Sequence, residues 1–385
     1  MAGIVGGNAQ MSTGNGFTYK IRGVAPAVSL INLRALDAKG GGTDSAVIAA
    51  INRAIALKSR YNIRVINLSL GRPVYERYEL DPLCQAAEKA WKAGIVVVAA
   101  AGNRGRDNSF KNNGYGTIVS PGNDPYVITV GSMRTMSTSS RADDLIASYS
   151  SKGPSPIDHV VKPDLVAPGN GIDSVSCGSC TMMTHYPANK TPLQSYTSSQ
   201  TGPSPYYYFT MSGTSMATPV TSGTIALMLQ KDGTLTPDQV KARLMKTATK
   251  SFPTSSTYVD PVTGVTYVSQ YDIFTVGAGY LDAWAALNNT DRANRPALSP
   301  TAKFNSLTGK VELMSANNIV WGDNILWGTN IVWGSRVILN GSNIIWGDSA
   351  PWGQSGNQAF NIVWGDSVPP GQEGASGNVE LSGDR

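Results

Sequence analysis

Ile95-Val96-Val97-Val98-Ala99-Ala100-Ala101-Gly102-Asn103 decides the fold. The run from Ile95 to Ala101 is the longest apolar stretch of the chain and far short of the roughly 20 residues a membrane-spanning helix needs. Its β-branched start and its Gly-Asn end mark a fully buried strand that stops at a turn. On its N-terminal side, Pro82 to Ala93 reads as a helix, Ile63 to Leu68 as a second buried strand and Val28 to Leu33 as a third. Between those strands, Thr43 or Asp44 caps a helix with Val47, Ile48, Ile51 and Ile55 on its apolar face. Downstream, Tyr126 to Val130 is another strand and Thr218 to Gln230 a strongly apolar helix; Thr236 to Ala248 is a helix opened by a Thr-Pro-Asp cap. Strand, crossover helix and buried strand in alternation specify an α/β fold, a mostly parallel sheet with helices on both faces.

The 385 residues carry 41% hydrophobic side chains and a formal charge of +5, which describes a core-forming chain rather than a disordered one. Lys and Arg are spread thinly instead of forming a stripe that tracks phosphates, so nucleic acid is excluded as the expected partner. Met1 begins no charged-then-apolar leader. Three cysteines make no disulfide framework. Cys177 and Cys180 read as a small loop disulfide or free thiols, and as no zinc site, because His185 is the only further ligand nearby and a structural zinc needs four. Cys84, at helical spacing among Leu83, Ala86 and Ala87, reads as buried filler.

After Leu287 the composition shifts. Residues 1–287 form the core-bearing unit, 288–316 read as a linker, 317–366 as a repeat module and 367–385 as a flexible tail. The repeat is Asn318-Ile319-Val320-Trp321-Gly322, Asn324-Ile325-Leu326-Trp327-Gly328 and Asn330-Ile331-Val332-Trp333-Gly334, with echoes ending at Gly347, Gly353 and Gly365. Six of the eight tryptophans sit there. An even period keeps each Trp on one face of an extended chain, so short strands with Gly turns are expected, as a spacer or as a surface for cell or glycan contact.

The chemistry belongs to the first unit. In Ser212-Gly213-Thr214-Ser215-Met216-Ala217-Thr218-Pro219, Gly213 permits close backbone approach and Ser215 precedes an apolar helix. Its hydroxyl thus sits where helix-start amides and the dipole favour a developing oxyanion. Asn103 ends a buried strand and is placed to aim an amide at the same oxyanion. Asn67-Leu68-Ser69-Leu70-Gly71 ends another, offering backbone groups to an extended peptide. Functional groups at the carboxyl ends of adjacent strands are where open α/β sheets place their sites.

These segments, together with Gly23 to Pro26, Tyr149 to Pro154, Lys162 to Gly169 and Gly277 to Ala283, resemble the subtilisin-like serine proteases from Met1 to about Leu287. The resemblance implies a seven-stranded parallel sheet sandwiched by helices and a secreted endopeptidase acting on polypeptides through an acyl-enzyme. It implies Ser215 as nucleophile and Asn103 as oxyanion donor. It makes Ser69, Leu70 and Gly71, with Ala100, Ala101 and Gly102, the walls that hold substrate as an added strand. Arg104 and Val119 then border the main specificity pocket. No cofactor is required; a structural calcium is common in the family, and the loop Gly7 to Tyr19, which holds no carboxylate, is the one weighed for it.

The departures matter as much. The family's catalytic His precedes a small or apolar residue and Ala-Gly, and here Met1-Ala2-Gly3 begins just after that position. The family's Asp lies farther upstream. The chain has two histidines, His159 in a proline-rich surface loop and His185 in a Ser, Thr and Tyr insertion, and neither is placed beside Ser215 by sequence. The expectation is an N-terminally incomplete endopeptidase, inactive and poorly soluble as these residues alone. A non-catalytic binding or surface protein using the Trp-Gly repeats is the alternative. An esterase is disfavoured, because Gly-Thr-Ser-Met-Ala is no Gly-x-Ser-x-Gly elbow.

Overall fold

A computed structural model describes residues 1–38, 40–109, 112–178, 180–198, 207–305, 310–314, 361–363 and 384. It opens with a short helix, α1 (Ala2–Gly6), followed by β1 (Gly41–Thr43), α2 (Asp44–Tyr61), β2 (Val65–Leu68), α3 (Pro82–Lys92), β3 (Val96–Ala100) and β4 (Ile128–Arg134). Then come β5 (Leu145–Ile146), β6 (Leu165–Asn170), β7 (Ile172–Val175), α4 (Thr181–His185), β8 (Tyr208–Met211), α5 (Thr214–Lys231) and α6 (Pro237–Thr247). The order closes with β9 (Ser255–Val259), β10 (Thr266–Gln270), α7 (Ala283–Asn288), β11 (Thr301–Asn305), β12 (Lys310–Met314) and β13 (Asn361–Val363).

The central sheet runs β2-β3-β4-β6 in parallel, and β5 adds antiparallel to the far end of β4. Every residue of β3 is buried, as an uninterrupted apolar run requires when helices cover both faces. Val47 and Ile51 of α2, Leu83 to Trp91 of α3 and Ile225 to Leu229 of α5 close the main core around it. Local chemistry sets the helix starts. Thr43 accepts the Ala46 amide, Asp81 the Leu83 amide, and Thr236 forms a reciprocal capping box with Gln239.

Among the described residues the sheet has five strands, where seven were expected. Val28 to Leu33 is irregular, with Leu30 51% and Ile31 44% exposed, because no described strand supplies ladder bonds to it. At the other side the pairing dwindles to one parallel bridge, Val166 with Tyr280. The segment read as a linker is partly packed on the body: β11 and β12 form a hairpin, Ala297 is buried and the Ser299 hydroxyl donates to Asp164 at 2.5 Å. Apart from Asn361–Val363 and Asp384, the repeat module and the tail lie outside the described residues.

Burial acts on three lysines. It pushes Lys241 down to about 7 against the pull of Asp164, Lys152 down to about 8 against Asp272, and Lys250 down to about 7. Their folded values lie below the unfolded 10.5, so between about pH 7 and 10 the unfolded chain holds more protons. Stability is therefore expected to rise with pH across that window, and Lys250→Met to flatten the rise. Urea denaturation midpoints at pH 7 and 9 check this; a midpoint that falls at pH 9 would sink it.

Candidate active site

Ser215 is the second residue of α5 and 4% exposed. The helix begins there because Gly213 takes φ +150, which L side chains rarely adopt, and its amide donates to the Gly169 carbonyl at the end of β6 at 2.9 Å. The start of α5 is laced to the end of β2. The Ser69 hydroxyl donates to the Ser215 carbonyl at 2.8 Å, and the Ser215 hydroxyl to the Ser69 carbonyl at 3.4 Å. Asn67 braces this contact, donating to Ser69 Oγ at 2.9 Å while accepting from Ser222 of α5 at 2.9 Å.

Asn103, 7% exposed, follows β3 by one short turn. Its Oδ1 accepts from the Thr214 amide at 2.9 Å and the Thr214 hydroxyl at 3.0 Å. A backbone N–H demands an acceptor, so these bonds fix which end of the amide is which and leave Nδ2 as the donor end. That nitrogen faces the turn before Ser215, since a Cβ built on Gly213 would stand 3.3 Å from it. Thr214 is the residue sequence reasoning missed. It anchors Asn103 through Oδ1 and receives the Gly102 amide on Oγ1 at 3.1 Å, so it ties the end of β3 to the helix. Its signal was a β-branched hydroxyl between Gly213 and Ser215.

The two segments read as walls, after β2 and after β3, both lie against the start of α5, and they differ in how much backbone they leave open. The Ala101 amide donates to Val130 and its carbonyl accepts from Val119, so its backbone is committed within the fold, and Ala100 is 3% exposed. Of the remaining wall residues Leu70 is half-buried while Ser69, Gly71 and Gly102 are buried, and Gly102 spends its amide on Thr214 Oγ1 and its carbonyl on the Ser151 amide. Val119 lies between the walls: a Cβ on Gly71 would meet its Cγ2 at 2.4 Å and one on Gly102 its Cγ1 at 2.9 Å. Gly102, at φ +106, gives its carbonyl to the Ser151 amide at 2.9 Å, while Ser151 Oγ accepts the Arg104 amide at 3.0 Å.

The histidines stay apart from this cluster. His159 is half-buried rather than on the surface, held in its turn by the Ser155 carbonyl and the Ala302 amide. His185 is exposed at the end of α4, edge-on to Tyr186. No hydrogen bond joins either to Ser215 among the described residues. Cys177 and Cys180 form a disulfide, and Cys84 is buried, its thiol pushed well up by burial and then by Asp124 and Asp81, so it is no competing nucleophile.

No group of three His, Cys, Asp or Glu gathers among the described residues. The loop from Gly7 to Tyr19 brings no carboxylate, so any calcium there would rest on carbonyl oxygens, and Asn8 Oδ1 accepts the Gln10 amide at 3.1 Å. Among those residues no helix is long and apolar enough to cross a membrane.

The chain is 39% identical over 247 residues to Serine protease AprX of Bacillus subtilis (strain 168), covering 62% of this chain and 50% of that protein. It is 35% identical over 232 residues to Subtilisin DY of Bacillus licheniformis, covering 60% and 65%. Among solved structures, Sphericase overlaps at a TM-score of 0.46 and 26% identity, covering 64% of this chain and 67% of that one. The chain thus spans between half and two thirds of the length of these two curated relatives. The model of the subtilase family matches residues 1–265, the same span that carries β2, β3 and the start of α5, and the chain belongs to that family.

Proposed function

We propose that this protein is a secreted serine endopeptidase in which Ser215 attacks a peptide carbonyl and the Asn103 amide stabilises the oxyanion before an acyl-enzyme forms. The observation that carries this reading is the Thr214 anchor. One threonine holds Asn103 by its oxygen and stands next to Ser215, so the donor end of the amide and the nucleophile share one rigid turn. The Cys177–Cys180 disulfide supports an oxidising, extracellular setting. On this reading substrate lies extended along the Ser69 to Gly71 segment as an added strand.

A serine hydroxyl needs a base, and the Ser215 proton points at a backbone carbonyl. These 385 residues alone are therefore expected to hydrolyse a peptide anilide at no more than about 10³ to 10⁴ times the rate in water, the part that oxyanion hole and binding supply. Steady-state cleavage of such a substrate tests this. Turnover of several per second, lost in Ser215→Ala, would show that a base within the chain serves after all.

Val119 sets the expected preference. Its two methyl groups fill the space between Gly71 and Gly102, so the pocket between the walls takes small side chains. Val119→Gly is expected to raise the ratio of Phe to Ala substrates at the cleaved position by about tenfold or more, since each methylene accommodated in a pocket is worth roughly 1 to 3 kcal/mol. An unchanged ratio would place the pocket elsewhere.

A further inference from the structure

Among the described residues, two points of the C-terminal segment touch the body of the protein, and both contacts are built ones. The first is Asp384, whose side chain is 2% exposed. Its Oδ1 receives Arg106 at 2.6 Å and the Ser148 hydroxyl at 2.7 Å, and its Oδ2 receives the Ser148 amide at 2.7 Å. Its backbone is clasped as well: the Asp384 amide donates to Asn170 Oδ1 at 2.8 Å, and Asn170 Nδ2 donates to the Asp384 carbonyl at 2.9 Å. Arg106 is pre-set for this task. It donates to Ser148 Oγ at 2.6 Å, pairs with Asp260 at 3.2 Å and lies over the rings of Tyr258 and Tyr267 of the β9–β10 hairpin. A carboxylate with this many donors is held through charge-assisted bonds and is no loose end.

The second point is β13. Asn361 to Val363 belongs to the last Trp-Gly repeat and pairs antiparallel with β1, Gly41 against Val363 and Thr43 against Asn361. The opposite edge of β1 is already bridged to Leu36. β1 lies near the segment read as a peptide wall, since Arg72, next to Gly71, binds Asp44, next to Thr43, at 2.8 Å. The Asp384 pocket also abuts the site: Asn170 follows Gly169, whose carbonyl holds Gly213.

We propose that the tail is an intramolecular strap. Asn361–Val363 adds a strand to β1 at the peptide cleft, and Asp384 is latched behind the nucleophile's turn, so that these residues compete with an extended polypeptide for the cleft. The competition rests on the peptide-cleft reading above; the docking does not. The recognition is backbone pairing at one end and carboxylate capture at the other. Two tethered contacts on one chain reinforce each other, so a weak strand pairing suffices once the latch is closed.

Hydrogen exchange on the full chain tests the docking without reference to activity. Asp384→Ala is expected to speed exchange at the Ser148 amide, and Ile362→Pro at Gly41 to Thr43, by about tenfold or more, with unchanged thermal midpoints. Exchange equal to the parent at both places overturns the strap. A fluorescent tetrapeptide aldehyde ending in Ala then reads the competition. Binding at least tenfold tighter to Ile362→Pro than to the parent supports it, and equal binding to both, with docking seen by exchange, overturns it. If exchange shows docking and neither protein binds the aldehyde, the peptide-cleft reading fails and the competition falls with it, while the latch stands.

Discussion

Asp164→Ala is expected to destabilise the protein by about 3 to 5 kcal/mol, a large share of the total stability of a domain. The carboxylate is fully buried. Lys162 lies 2.7 Å from Oδ2, Lys241 3.2 Å from Oδ1, and the Thr129 amide and Ser299 hydroxyl complete its shell at 2.7 and 2.5 Å. Burial alone raises a carboxyl's pKa, but here the two lysines outweigh it and hold Asp164 below the ordinary value. Without Asp164 the buried Lys162 ammonium loses its counter-ion, and Lys241, already pushed down to about 7 with Asp164 beside it, keeps only the carbonyls of Pro125, Tyr126 and Val127 and the Ser299 hydroxyl as acceptors. Loss of one partner is costly because the other charges stay buried. Urea unfolding of the variant at pH 7 reads the loss directly. The triple change Asp164→Leu, Lys162→Met and Lys241→Met is expected to recover most of it, because apolar replacements leave no charge unpaired. A loss below about 1 kcal/mol for Asp164→Ala would mean water reaches the site.

Asn103→Ala is the second large effect expected, about 10² to 10³ in kcat, the size of effect that removal of one oxyanion-hole donor has. It bears with particular weight on these 385 residues. On the function proposed above their rate rests on oxyanion stabilisation and binding, so removing the proposed donor is expected to bring hydrolysis of an activated ester close to background. KM is expected to change little, since Nδ2 meets charge that exists only in the transition state. Thr214→Val separates positioning from contact: it keeps the backbone amide on Asn103 Oδ1 but removes the hydroxyl bridge to Gly102 and Asn103. It is expected to lower kcat with KM unchanged, and Thr214→Ser to restore it. Equal loss in both would point to simple packing damage.

Periodicity and cap residues located β2, β3, α3, α6 and the start of α2 to within a residue or two, because each buries a continuous apolar face. It failed at Val28 to Leu33, whose apolar run is as good a strand as β2 by composition. A strand exists only where a neighbour completes its hydrogen bonds, and that neighbour is a tertiary fact. Reading 288–316 as a linker missed its packing for a related reason. Ser299 looks like any polar connector residue, and nothing local says that its hydroxyl is needed by Asp164, far away in sequence.

Ser215, Asn103 and the Ser69 to Gly71 segment were legible from the sequence as candidates, since a serine before an apolar helix and polar residues at strand ends are local patterns. Which atom of Asn103 donates, that Thr214 binds it, and that Val119 fills the gap between two glycines were decided by the packing of α5 across the ends of β2 and β3. So was the seat of Asp384 on Arg106, where charge meets charge across most of the chain. Short-range order follows from propensity and periodicity, which each segment carries within itself. Long-range pairing depends on which surfaces meet once the core closes, and only the folded chain settles that.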